Sequence, residues 1–122
     1  MKRTVFEAPE KVLVEHDPDT NTYVLNWLTY CGPHFRQAVS AFLEAIQHGG
    51  VTNYVANSSR AVDVPTQEDF QWIDSVARPA MLKAGIRRFI TVVPASAVAK
   101  MGANRFGRMA SQAGVDTYQV AS

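Results

Sequence analysis

At 122 residues, 47% of them hydrophobic, the chain has the length of one domain and enough apolar residues for a core, which excludes a disordered chain or two self-sufficient halves. Twelve basic and eleven acidic residues leave a net charge of +1, too weak a field to point to nucleic acid or an anionic membrane. A lone cysteine, Cys31, excludes an internal disulfide and fits a reducing compartment, and no apolar run approaches the roughly 20 residues of a membrane span.

The opening MKRTVFEAPEKV meets Glu7, Pro9 and Glu10 where a signal peptide would carry its apolar core, so the expected location is cytoplasmic. Next come two β-rich runs, KVLVEH (11–16) and TYVLNWLTY (22–30), parted by the turn formers of 17–21; they predict a hairpin. Phe35, Val39, Phe42, Leu43 and Ile46 recur at helical spacing between Pro33 and Gly49-Gly50, which predicts a first amphipathic helix. VTNYVAN (51–57) reads as a third strand, followed by an open polar loop from Ser58 to Pro65.

Thr66, with a carboxylate three residues later, marks the start of a second helix whose stripe is Phe70, Ile73, Val76, Ala77, Ala80, Met81 and Ala84. Pro79 inside it should kink the helix or divide it after Ala77. IRRFITVV (86–93), bounded by Gly85 and Pro94, has the run expected of the most buried strand, covered on both faces. Ser96 can cap a third helix with Val98, Met101, Gly102, Phe106, Met109 and Ala113 on its stripe, and 115–120 is a last strand with no further helix after it. This order predicts a single α/β domain over 1–122: a mixed four- to five-stranded sheet, mostly parallel, with an N-terminal hairpin and three helices.

The chemistry-bearing residues are few. Cys31-Gly32-Pro33-His34 sets a thiol and an imidazole at a helix start, the basis for a small enzyme; the contrary reading is a small buried Cys beside a surface His. No cluster has metal-ligand spacing and no phosphate loop is present, so neither metal nor cofactor is expected. Lys100, Asn104 and Arg108 form a polar stripe that a solvated helix face explains as well as a phosphate site does. Asn57, Ser58, Ser59 and Arg60, followed by Thr66, combine hydroxyls, a cation and helix amides, and make the best anion or partner site in the chain. Trp72 falls at the rim of its helix's stripe, where it either covers a neighbouring loop or forms an interface; the latter gives the expectation of a homodimer.

The order of elements resembles the SpoIIAA-like, STAS-domain superfamily over nearly the whole chain. The resemblance implies a mixed sheet with helices mainly on one side, no cofactor, no catalysis, and a regulatory role in binding a protein partner or small anionic ligand. Asn57-Ser58-Ser59 matches the family's Asp-x-Ser strand end with Asn57 in place of Asp, and Thr66 matches the phosphorylatable residue in position only. The family's Asp-Ser-Ser-Gly signature is absent, since Asp63 is followed by Val64-Pro65-Thr66.

Overall fold

Six extended runs, one more than the patterning predicts, pair into a single sheet whose strands lie side by side in chain order. The computed structural model describes residues 2–93 and 96–120. β1 (Arg3–Ala8), β2 (Val12–Asp17) and β3 (Thr22–Trp27) form an antiparallel meander, and β4 (Asn53–Asn57), β5 (Arg88–Val92) and β6 (Asp116–Val120) continue it in parallel with β3. β1 is the strand the sequence reading misses. Its six residues include Glu7, stop at Ala8 before Pro9 and carry a register irregularity between Thr4 and Phe6, so no clean period-two signal survives.

The helices are α1 (His34–Ala45), α2 (Gln67–Trp72), α3 (Arg78–Ala84) and α4 (Ala97–Gln112). α2 and α3 belong to one continuous helical rod, joined by a π-helical turn at Ile73–Ala77 whose end residues keep right-handed helical dihedrals. The chain stays helical through Pro79, and its winding changes after Ala77, where the π turn gives way to α3. A proline lacks the amide that would bond to Ser75 and crowds its carbonyl, and the wider turn just before it absorbs both defects. The Thr66 hydroxyl accepts from the Asp69 amide at 3.1 Å, the cap expected at this helix start, and Gly85 ends the rod at φ 111°. Val76, expected on the buried stripe, is 51% exposed, whereas Arg78 is buried.

All four helices lie over one face of the sheet. Tyr23, Tyr54 and Phe89 are opposite one another on β3, β4 and β5; Phe42 of α1 packs on the first two and Phe106 of α4 on the third. Phe35, Phe42, Ile46, Phe70 and Ile73 are buried as expected, while Phe106 is only half-buried. The other face carries no helix among the described residues. The expectation for 86–93 therefore fails: β5 is next to an edge and alternates buried with open positions, beginning at the exposed Arg88. β3, with Tyr23, Leu25 and Trp27 all buried, is the better-covered strand, and Pro94 lies outside the described residues.

Candidate functional site at the carboxyl edge of the parallel strands

β3, β4 and β5 run the same way, so the chain leaves each of them at one edge of the sheet, where loops 28–33 and 58–66 meet. Asp63 ties these loops together. Its carboxylate accepts from the Thr29 hydroxyl and, at 2.7 Å, from the Tyr30 amide. Beneath them the Tyr30 and Ser58 hydroxyls are hydrogen-bonded, and burial pushes the Tyr30 phenol up to about 12, the Ser58 bond opposing and Asp63 adding to the shift.

The six residues singled out in the sequence do not form one constellation. Asn57 ends β4 on the helix-free face; its amide donates to Asn26 at 3.0 Å, and its oxygen accepts from the Ser59 hydroxyl at 2.7 Å. Ser58 points the opposite way and is 2% exposed, so it belongs to the interior rather than to a loop surface. Arg60 is exposed, with no ion-pair partner among the described residues. Thr66 is spent on capping. Trp72 is half-buried against α1, edge-on to Phe35 and under the Arg36 guanidinium at 5.3 Å, so it covers α1 rather than the 58–65 loop. Arg36 also bonds Asp69 at 2.8 Å and so clamps α1 to α2.

The thiol and the imidazole exchange their expected places. Cys31 is exposed and its Sγ approaches the Val64 carbonyl at 3.3 Å, whereas His34 is 3% exposed with Nε2 bonded to the Thr29 carbonyl at 2.8 Å. Gly32, at φ 136°, permits this turn: a Cβ there would lie 2.9 Å from His34 Nδ1. Burial first, and then the Asp63 charge, push the Cys31 thiol up, which is the wrong direction for a nucleophile. His34 serves as a strut of the loop, and no hydrogen bond joins it to Cys31.

Sequence reasoning missed the apolar part of this edge. Loop residue Val64 sits on α4 where Gly102 leaves room, since a Cβ at that glycine would lie 2.4 Å from Val64 Cγ1. Flanking this contact, Val62, Val98 and Met101 are 69%, 57% and 73% exposed. Helical spacing had assigned Val98 and Met101 to a buried stripe. Below the loops a cavity of about 40 Å³ lies between sheet and helices, bounded by Trp27, Tyr30, Tyr54, Ser58, Phe89 and Phe106 among others.

On the polar stripe, Lys100, Asn104 and Arg108 are all exposed, and Asn104 accepts from Gln119 at 2.9 Å. Among the described residues no three His, Cys, Asp or Glu side chains come together as a metal site would need, and no helix is long and apolar enough to cross a membrane. No family model, curated protein or solved structure matches the chain, so the chemistry of this edge rests on its own geometry.

Proposed function

We propose that this chain is a non-catalytic regulatory domain, of the kind its SpoIIAA-like element order implies, that binds a protein partner at the loop after β4 and the adjoining face of α4. The observation that carries this reading is the trio Val62, Val98 and Met101, apolar and exposed around the contact of Val64 with Gly102, next to a loop that Asp63 holds in place. An exposed apolar centre of this kind suits a partner that presents an apolar patch of its own. A pre-ordered loop lowers the ordering cost of such binding. The small anionic ligand is the lesser form of the same reading, with Arg60 as its donor.

The test is co-purification from the source cells with wild-type chain and a Met101→Glu, Val62→Glu double variant, followed by titration of the reconstituted pair. The expected result is a stoichiometric partner whose affinity falls at least about a hundredfold in the variant. A substrate turnover abolished by Cys31→Ser would overturn the reading in favour of the small enzyme.

The homodimer remains a second reading, but its surface moves. With Trp72 covered by Phe35 and Arg36, the uncovered face offers more: Val24, Val55, Ile90 and Tyr118 stand opposite one another across four strands, with Val92 beside Val120 in the next row. Among the described residues no strand pairs with the outer side of β6, and a second copy can supply one by two-fold pairing while extending those rows. Sedimentation at micromolar concentration should show a dimer that Tyr118→Lys dissociates; a monomeric wild type removes this reading.

A further inference from the structure

Arg78 is a buried cation whose hydrogen bonds are only partly made. It follows the π turn directly, is 4% exposed, and donates from Nη1 to the Asp74 carboxylate at 2.8 Å. That carboxylate is 61% exposed, so water screens the one charge that balances Arg78. Nη2 is buried with no partner among the described residues, and the guanidinium carbon lies 5.2 Å from the centre of the Phe106 ring. Holding a guanidinium out of water is costly unless its donors are met, and a buried donor left unmet calls for a reason.

Two further features converge here. Arg78 is close enough for its charge to act on the phenol of Tyr54, which burial keeps in its neutral, donating form. Tyr54 and Phe106 both border the 40 Å³ cavity, together with Leu25, Ile73, Met81 and Phe89; Arg78 does not line it and reaches it only past the Phe106 ring on which it rests. A water-sized atom takes about 10–15 Å³ of such space, so there is room for about three heavy atoms. The π turn immediately before Arg78 is a device found disproportionately at functional sites.

We propose that Arg78, Tyr54 and this cavity form an interior site for a short aliphatic carboxylate. Its carboxylate oxygens accept from Arg78 Nη2 and the Tyr54 hydroxyl, and its alkyl tail fills the cavity once the half-buried Phe106 ring turns aside. A singly charged acid fits better than phosphate: the donors are one nitrogen and one hydroxyl, the cation is already partly balanced by Asp74, and the remaining wall is mostly apolar, with Tyr30, Ser58 and Thr91 its polar members. Arg78 and Tyr54 take no part in the Val62–Met101 surface, although the cavity reaches up to Gly102 beneath it, so either reading can fail without the other.

The experiment titrates the intact chain with sodium butyrate, acetate, butyramide and phosphate at matched ionic strength, reading the thermal midpoint and the methyl resonance of Met81. Butyrate should raise the midpoint and shift the resonance saturably, with acetate and the neutral amide each at least about tenfold weaker and phosphate without saturable effect. Arg78→Met should fold and lose the butyrate response; Ala103→Leu, which fills the cavity while keeping Arg78, should lose it too. Should Arg78→Met fail to fold, the amide comparison and Ala103→Leu decide the matter. No saturable response to butyrate, an equal response to butyramide or phosphate, or retention in either folded variant overturns the proposal.

Discussion

Tyr30 shows how one side chain sets the chemistry of the carboxyl edge. Its folded value of about 12 lies above the ordinary 10, so the neutral phenol contributes stability in full below pH 10, and this is lost as pH rises toward 12. At roughly 1.4 kcal/mol per unit, the contribution is on the order of 2 to 3 kcal/mol. Tyr54 is raised in the same direction by burial. Alkaline unfolding followed by circular dichroism should therefore steepen above pH 10. Tyr30→Phe should flatten part of that slope and, by leaving Ser58 unpaired, lower stability at pH 7 by about 1 to 2 kcal/mol. Asp63→Ala releases two donors of the loop at once; it should cost about 2 kcal/mol and sharply raise amide exchange across 28–33 and 58–66. Neither residue stands out in the sequence, because an Asp and a Tyr 33 residues apart acquire meaning only when two parallel strands set their exits together. Cys31 and His34 are conspicuous there for the opposite reason: four residues hold both reactive types, and only the fold turns the imidazole inward.

Among the elements, capping and glycine punctuation were legible and winding was not. Thr66, Ser96 and Gly85 sit where their local chemistry puts them, since a cap depends on neighbours two or three residues away. Thr66→Ala should lower stability by about 1 kcal/mol, as a two-state denaturant titration would show. Pro79 announced a disturbance but not its form: a π turn shifts every later residue around the rod, exposing Val76 and burying Arg78, and no simple helical projection foresees that. Gly102 stands on the apolar stripe of α4, and the element it admits is the loop at Val64. Gly102→Ala should displace that loop, costing about 1 to 3 kcal/mol in thermal unfolding and weakening any partner held at Val62 and Met101.

At the scale of the whole molecule, alternation of strands and helices correctly predicted an α/β domain with a mixed, mostly parallel sheet, because each period reports one element's buried face. The sidedness did not follow from it. An apolar run such as IRRFITVV reads alike whether two layers cover it or only one, and here the described residues supply one layer. Neighbours in space are also neighbours in sequence, from the first strand to the sixth. Construction can thus proceed in one direction. Each strand-and-helix increment finds its docking edge already made by the chain before it, as in a solenoid adding repeats, with no late strand obliged to insert between two earlier ones. A nascent chain leaving the ribosome could lay down the meander, then α1 with β4, and so on, exposing one growing edge at a time. Arrest at successive lengths, probed by limited proteolysis, should give protected fragments that lengthen in steps of one strand and one helix.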